Sequence, residues 1–416
     1  MAGKTSGIVP SDCSMALRAM LFRRACYAYV SNAIAPVLYI EDCKLVEINF
    51  EDHKARKLKF SIVSNEGILD SVELKEADGL LADFSTPVHL LSSHNNDRSV
   101  NKLKNSFYSI RKSNIYQYAP DLNYFTFYHN SSRKAALLYS YHGPMNISLD
   151  GNIGNYVLRR LPKIINNKYQ YIYVKILDTY QALLHKDSYI SDISPREKIN
   201  LEATHINALN IKLLVILDLE KNYIKSSAEL IKTVLMFYNN NNMLFSDFES
   251  PSIDFMLKGI VFPQDTDITS NSTVLTLESI NNVKEFVEKL TPYFQLENHD
   301  IVTVLTQRMI LLDNETRRFT EAMIINEHKI CEGNAEPTLI LSPYYNYQTV
   351  HDTFLAKILP MFGTNDFKNR LNTMCPEFVV NVQPDYVNGQ QLWPSCIITE
   401  YSKYFRHNIC SEFDTN

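Results

Sequence analysis

Three short segments near the start of the chain, "KLVEINFED" (44–52), "RKLKFSIVS" (56–64) and "ILDSVELKE" (68–76), decide the first part of the fold. In each of them apolar and polar side chains alternate, and turn-forming residues separate one segment from the next. Successive side chains of a β-strand point to opposite faces, so this alternation gives each strand one apolar face. Together with "VLYIED" (37–42), the segments predict an antiparallel meander over residues 37–76.

Further strands are indicated downstream. "LNYFTFYHN" (122–130) and "KAALLYSYH" (134–142) predict a hairpin around the polar "NSSR". The apolar runs "YQYIYVKIL" (169–177) and "IKLLVILDL" (211–219) predict two more strands. Residues 99–113 are instead expected to be helical. A second helix is expected from Ser194, where a capping residue precedes a proline at the first helical position.

From about residue 226 the patterns favour helices. Amphipathic helices are predicted for "SSAELIKTVLMFYNNNN" (226–242), "ESINNVKEFVEKLTPYF" (278–294), "NHDIVTVLTQRMILL" (298–312) and "YNYQTVHDTFLAKILPMF" (345–362). Asparagine is common in turns and helix caps, so the run Asn239–Asn242 is expected to form a surface loop. "EFVVNVQPDYV" (377–387) returns to strand.

These patterns predict an α+β fold, with a strand-rich N-terminal half (meander and hairpin) and a helix-rich C-terminal half. Three regions are expected in a chain of 416 residues. Residues 1–97 would hold an N-terminal docking helix and the meander, 98–222 a basic, aromatic α+β region, and 223–416 a mainly helical region. The first helix carries arginines and no acid, so organellar targeting is an alternative to docking.

The seven cysteines show no C-x-x-C spacing, which argues against a zinc site or a disulfide framework. Buried free thiols in a reducing compartment are expected instead. The predicted location is the cytoplasm or the interior of a virus particle. No cofactor motif and no membrane-spanning segment is recognised in the sequence.

Charge is distributed unevenly along the chain. The net charge is only −5, yet residues 98–175 contain 12 Lys and Arg against 2 Asp and Glu, and residues 176–315 contain 11 against 20. The basic segment is also rich in tyrosine and phenylalanine, a combination that suits single-stranded RNA or DNA. Pairing of the two segments with each other, within or between subunits, is the alternative. The predicted nucleic-acid-binding residues are Lys104, Arg111, Lys112, Arg133, Lys134, Arg159, Arg160 and Lys163.

The stretch "DGNIGNYVLRRLPK" (150–163) lies within this segment. Its pattern predicts a strand, a turn and a helix that begins near Asn155, with Arg159 and Arg160 on one helix face. The Gly151–Gly154 spacing matches the KH-domain clamp, but "MNISLD" (145–150) predicts a strand where that clamp needs a helix. No Walker motif follows. A generic phosphate contact is therefore expected here.

One possible catalytic pattern is found elsewhere. "LLVILDLEKN" (213–222) ends an apolar strand with Asp218 and Glu220, whose side chains would share one face and could bind one Mg²⁺. This resembles the first motif of DEDD-type exonucleases, which implies a metal-dependent nuclease, and Asp254 would be a further carboxylate. The last motif of that family has no match downstream.

Two functional hypotheses follow from the sequence. The first is a non-enzymatic structural or assembly subunit of a large complex, such as a viral capsid, nucleocapsid or replication complex. Its partners would be other protein subunits, of the same or another kind, and the backbone of RNA or DNA, with no cofactor or small-molecule substrate. The second is a metal-dependent nuclease, or a related nucleic-acid enzyme, that uses Asp218 and Glu220.

Overall fold

The computed structural model describes about half of the chain, mostly between residues 40 and 342. The described residues are 40–54, 56–77, 81–93, 108–119, 122, 124–141, 147–165, 168–176, 208–218, 227–246, 252–263, 274–294, 299–306, 308–313, 318–320, 322–326, 338–342, 358, 385–387, 390–392 and 399. The predicted N-terminal docking helix and the helix predicted from Ser194 lie outside them, as does 345–362 apart from Ile358.

The described elements are mainly strands. The strands are β1 (Ile40–Lys54), β2 (Lys57–Ser64), β3 (Gly67–Glu76), β4 (Pro87–Ser93), β5 (Tyr108–Asn114), β6 (Phe125–Asn130), β7 (Ala135–Tyr141), β8 (Ile147–Ile153), β9 (Tyr156–Ile165), β10 (Lys168–Ile176), β11 (Ala208–Asp218), β12 (Ser252–Pro263), β13 (Val274–Leu275), β14 (Ile301–Thr306), β15 (Met309–Asp313), β16 (Arg318–Thr320), β17 (Ala322–Asn326), β18 (Thr338–Leu341), β19 (Asp385–Val387) and β20 (Gln390–Leu392). The helices are α1 (Ile115–Tyr118), α2 (Ser227–Phe245) and α3 (Leu277–Phe294).

Eight antiparallel strands form a closed barrel in the order β1-β10-β9-β8-β7-β6-β3-β2. The predicted meander is confirmed, because β1, β2 and β3 are consecutive neighbours in this barrel. The alternation in β2 explains the barrel interior: Leu58, Phe60 and Ile62 are buried, while Lys57 and Lys59 are exposed on the other face. The hairpin predicted over residues 122–142 is also confirmed, as β6 and β7.

A second, mixed sheet has the order β17-β18-β14-β11-β12-β4-β5. Its inner strands are parallel, and β5 and β17 pair antiparallel at its two edges. The chain passes from β11 through α2 to β12 on one side, and it returns through α3 to β14 on the other side of β11. The strand order therefore reverses at β11, which places a topological switch point between β11 and β14.

Helix α2 lies between the barrel and the mixed sheet. Alternate residues of β11, such as Leu213 and Val215, pack in one apolar cluster with α2 and with Leu138 on the outer side of the barrel. Leu214 and Ile216 point to the opposite face, where they pack with α3. Residues 231–245 of α2 are all buried, as expected for a helix with packing partners on every side.

The expectation of a surface loop at Asn239–Asn242 is wrong, since all four asparagines lie in α2 and are buried. Neighbouring groups supply side-chain hydrogen bonds to Asn239, Asn241 and Asn242, as burial of polar groups demands. Asn239 donates to the carbonyl of Leu137 at 3.3 Å, and its Oδ1 lies 2.5 Å from His129 Nε2. The barrel and the helix are thereby joined by polar contacts as well as by apolar packing.

The predicted α+β class with a helix-rich C-terminal half is wrong. The described residues are mostly strand, with three helices among them and one eight-stranded antiparallel barrel. The segment 298–312 forms β14 and β15, and residues 108–113 of the segment 99–113 lie in β5. β14 is buried on both faces, so its sequence, apolar except for Thr303 and Thr306, shows no alternation and cannot be distinguished from a buried helix by periodicity.

The three-part division of the chain stays a prediction. β4 and β5, on either side of the boundary predicted at residues 97 and 98, pair with each other in the mixed sheet. Cys43 is disulfide-bonded, so the expectation of free thiols is wrong for this residue, and the other six cysteines lie outside the described residues. No described helix combines the length and apolar character needed to cross a membrane.

Candidate nucleic-acid interface

The residues predicted to bind nucleic acid are divided between the two sheets. Arg111 and Lys112 lie on β5, at the edge of the mixed sheet, while the predicted arginines that follow them along the chain belong to the barrel. Lys104 lies outside the described residues, and Lys163 lies in β9 with its side chain outside the description. The structure therefore does not bring the predicted residues together on one element.

Arg133 and Lys134 occupy the turn between β6 and β7. The guanidinium of Arg133 donates to both carboxylate oxygens of Asp70, at 2.7 and 3.0 Å, and to the carbonyl of Ser71 at 2.5 Å. Lys134 is buried and has left-handed backbone angles, with φ at 49°. Both cations are thus placed by contacts of the barrel itself.

Arg159 and Arg160 lie in β9, so the helix predicted to begin near Asn155 is wrong. Gly154 and Asn155 instead form the turn between β8 and β9, and adjacent strand residues point to opposite faces. Arg159 is 7% exposed and donates to the sulfur of Met236 on α2. The guanidinium carbon of Arg160 lies 4.4 Å from the ring centroid of Tyr169, a cation–π contact.

Asp150, the first residue of the same stretch, is buried between the barrel and α2. Its Oδ1 accepts a hydrogen bond from the backbone N–H of Arg160 at 3.0 Å, and its Oδ2 lies 3.5 Å from Lys232 Nζ. Asp150 and Lys232 are both almost fully buried. The ion pair of Asp150 and Lys232 therefore joins the barrel to α2. It pairs an acid of the basic segment with a base of the acidic segment, so the alternative that the two segments pair through their excess charges stays a prediction.

Several tyrosines of the basic segment point into the barrel. Tyr128, Tyr139, Tyr171 and Tyr173 are all buried there, and Tyr156 stacks on Tyr173 with ring centroids 4.4 Å apart. Burial raises the pKa of Tyr128 to about 12, and it also raises the pKa of Tyr171 and Tyr173. These buried rings fill the barrel and cannot stack on bases at the surface.

The edge of the mixed sheet differs from the barrel in its exposure. Arg111 and Lys112 are exposed on β5, and α1 follows directly with the exposed side chains of Tyr116 and Gln117. Across from α1, the exposed ring of Phe84 belongs to the loop before β4. Sequence reasoning counted Tyr116 among the aromatics of the basic segment but missed Phe84, because Phe84 lies outside that segment.

Polar side chains also gather at the carboxyl end of the mixed sheet, near the topological switch point. Asp218 ends β11, and its Oδ2 accepts a hydrogen bond from the hydroxyl of Thr306 at the end of β14, at 2.7 Å. Arg308 Nε lies 3.8 Å from the same oxygen, and Ser342 donates to the carbonyl of Arg308 at 2.8 Å. Asp218 and Arg308 are each only 2% exposed.

This cluster bears on the predicted metal site. The carboxylate of Asp218 faces a guanidinium and a hydroxyl, both of which stabilise its charge. Glu220 lies outside the described residues, and Asp254 lies near the start of β12, far along the sheet from the end of β11. Among the residues that the structure describes, no three His, Cys, Asp or Glu side chains are grouped as metal ligands would be. The nuclease hypothesis stays a prediction.

Comparison with known proteins adds little to this description. No protein-family model matches the sequence, and no curated protein matches it. Among solved structures, the chain is similar to metalloproteinase-II from Bacteroides fragilis, with 8% sequence identity and a TM-score of 0.34, over 72% of this chain and 80% of that one. A likeness at that score carries no argument about fold or function.

Proposed function

We propose that the chain is a non-enzymatic assembly subunit of a large complex, such as a viral capsid, nucleocapsid or replication complex. It contacts nucleic acid or a neighbouring subunit through the exposed basic edge at β5. The observation that supports this most directly is that Arg111 and Lys112 are exposed at the edge of the mixed sheet, whereas Lys134 and Arg159 are buried.

Arg111 and Lys112 are adjacent in β5, so their side chains point to opposite faces of the sheet and flank its edge. A negatively charged partner that lies along this edge would be reached by a cation from each face. Positively charged side chains discourage edge-to-edge pairing with another sheet, because two such edges repel each other. They attract phosphates of any nucleic-acid sequence and release the counterions that surround them. An acidic segment of a neighbouring subunit, such as the acidic residues between 176 and 315, could take the same place.

The cluster at the carboxyl end of the sheet supports a structural role for Asp218. Its carboxylate is buried with a guanidinium and a hydroxyl, an arrangement typical of buried charges that are held by their own neighbours. The proposed location is the cytoplasm or the interior of a virus particle.

The proposal is tested by the salt dependence of binding. Binding of single-stranded oligonucleotides should weaken as the salt concentration rises. In a plot of the logarithm of the binding constant against the logarithm of the salt concentration, Arg111→Ala/Lys112→Ala should make the slope less steep by about 0.7 for each cation that contacts a phosphate. The matched control is Lys284→Ala/Lys289→Ala, which removes two exposed cations from α3 and should leave the slope unchanged.

Sedimentation at low and high salt tests the second kind of partner. If β5 contacts a neighbouring subunit, the chain should self-associate at low salt, and the β5 variant should associate less than the control variant. A chain that binds no oligonucleotide and is strictly monomeric at low salt and high concentration would contradict the proposal.

A further inference from the structure

Two exposed aromatic residues near the basic edge, Phe84 and Tyr116, belong to backbone segments that are hydrogen-bonded to each other. The backbone N–H of Tyr116 donates to the carbonyl of Phe84 at 3.1 Å, and the N–H of Ile115 donates to the carbonyl of Thr86 at 3.2 Å. The first turn of α1 is thereby attached to the loop at residues 84–86. Phe84 and Tyr116 are carried on adjacent, hydrogen-bonded segments.

The backbone that carries the two rings is well fixed. In the loop, Thr86 Oγ1 accepts from the N–H of Asp83 at 3.0 Å, and the Thr86 N–H donates back to the Asp83 carbonyl at 3.1 Å. On the helix side, Asn114 caps α1 by accepting from the N–H of Gln117 at 2.8 Å, and Ile115 is fully buried. Such anchoring lowers the entropy that ordering the rings would otherwise cost on binding.

The side chains of Phe84 and Tyr116 are largely exposed to solvent, unlike the aromatic side chains that fill the barrel. Phe84 is 55% exposed and Tyr116 is 52% exposed, whereas Tyr128 in the barrel is 4% exposed. Isolated exposed apolar residues are common, but these two, called the aromatic pair below, are carried on hydrogen-bonded backbone segments. A ligand with flat, apolar faces would cover the exposed rings.

Tyr116 of the aromatic pair follows the two cations closely along the chain. Lys112 and Tyr116 are four positions apart, so their backbones are separated by at most roughly 14 Å. Residues 108–119 contain no acid, and the described loop before β4 contains one, Asp83, whose carboxylate accepts two hydrogen bonds from Ser85 at 2.7 and 2.6 Å. The described residues that carry the cations and the aromatic pair therefore include one acid, whose charge is partly satisfied locally.

We propose that Phe84 and Tyr116 stack against the bases of a single-stranded nucleic acid while Arg111 and Lys112 contact its phosphates. Every base has a π-face, so such a site binds single strands with little regard to sequence. Bases in a duplex are already stacked on each other, so the site prefers single strands. This inference rests on the proposed function, and it specifies the ligand of the β5 edge.

The experiment measures the binding of oligo-U, oligo-dT and a DNA duplex of equal length to the full chain. Phe84→Ala and Tyr116→Ala should each weaken binding of both single strands by about fivefold or more, because each removes one stacked base contact. The salt slope should stay unchanged, since the phosphate contacts remain. Tyr293→Ala, which removes an exposed ring from α3, is the matched control and should bind like the wild type. Melting temperatures verify that each variant folds.

The outcomes separate this inference from the proposed function. If Arg111→Ala/Lys112→Ala flattens the salt slope but the two ring variants bind like the wild type, the stacking inference is wrong and the proposed function stands. The same holds if the duplex binds as tightly as the single strands. If no oligonucleotide binds, or if poly-glutamate binds more tightly and depends on the same rings, the nucleic-acid ligand is wrong. A difference between oligo-U and oligo-dT identifies the preferred sugar.

Discussion

Asn242 of α2 pairs with the backbone of Phe255 in β12 through both ends of its side-chain amide. Its Nδ2 donates to the Phe255 carbonyl at 3.1 Å, and its Oδ1 accepts from the Phe255 N–H at 2.7 Å. β4 pairs with β12 only from Ile260 onward. The Asn242 amide therefore supplies the hydrogen bonds that a neighbouring strand would give to Phe255 within a sheet.

We expect Asn242→Ala to lower the free energy of unfolding by about 2–5 kcal/mol, because a buried N–H and a buried carbonyl both lose their partner. The measurement is chemical denaturation followed by circular dichroism. Asn282→Ala, an exposed position on α3, is the control and should change stability by less than about 0.5 kcal/mol. Equal stabilities of the two variants would show that the amide contributes nothing.

Asn242 also shows which parts of the fold the sequence could predict. Local alternation predicts the meander β1 to β3, strongly apolar runs predict β10 and β11, and these predictions are confirmed. The barrel strand β9, by contrast, lies where the sequence pattern predicts a helix. The burial of Asn242 depends on a strand that lies thirteen positions away in sequence. A local sequence pattern contains no information about such a partner, so the asparagine run predicts a loop.

The candidate interface was predictable only in part, for a similar reason. Counting charges identified a basic segment, and Arg111 and Lys112 are exposed members of it. The same count cannot tell that Arg133 contacts Asp70, since Asp70 lies 63 positions away in sequence, on the neighbouring barrel strand β3. Phe84 joins Tyr116 through a contact between loop and helix, so no pattern in the basic segment could reveal it.

Gly151 lies where strands β7 and β8 of the barrel approach each other closely. Its φ of +155° is in a region that favours glycine, and a Cβ there would collide with the carbonyl oxygen of Ala136. We expect Gly151→Ala to lower the free energy of unfolding by about 1–3 kcal/mol. Gly67→Ala is the control, because Gly67 also has a positive φ, 122°, but a Cβ there would meet no atom within 4 Å. If both variants lose the same stability, backbone strain alone explains the effect.

Tyr128 should make the barrel sensitive to alkaline pH. Burial raises its pKa from the ordinary 10.0 to about 12, so the folded state favours the protonated phenol. This contribution to stability is fully present below the unfolded pKa of about 10 and is lost as the pH rises from there through about 12. Unfolding free energies measured across this range should fall less steeply for Tyr128→Phe than for the wild type.

The control for this measurement is Tyr293→Phe, at an exposed position on α3. An exposed side chain has nearly the same surroundings in the folded and unfolded chain, so this variant should follow the wild-type curve. Tyr171 and Tyr173 also have pKa values raised by burial, so the Tyr128 variant should retain part of the alkaline loss. A wild-type curve that stays flat above about pH 10 would contradict the prediction.

Variants of the Asp218–Arg308 pair distinguish a structural role of the Asp218 carboxylate from a role as a metal ligand. If the pair is structural, Asp218→Asn should destabilise the fold by about 3–5 kcal/mol, because it leaves the buried guanidinium without its anion. Replacing both residues, as in Asp218→Asn/Arg308→Met, should restore part of the loss, since no uncompensated charge then remains buried. Mg²⁺ and Mn²⁺ should leave the wild-type melting temperature unchanged, and the chain should show no nuclease activity. A metal-dependent rise in melting temperature that Asp218→Asn abolishes would instead favour the nuclease hypothesis and would count against a purely structural role for this carboxylate.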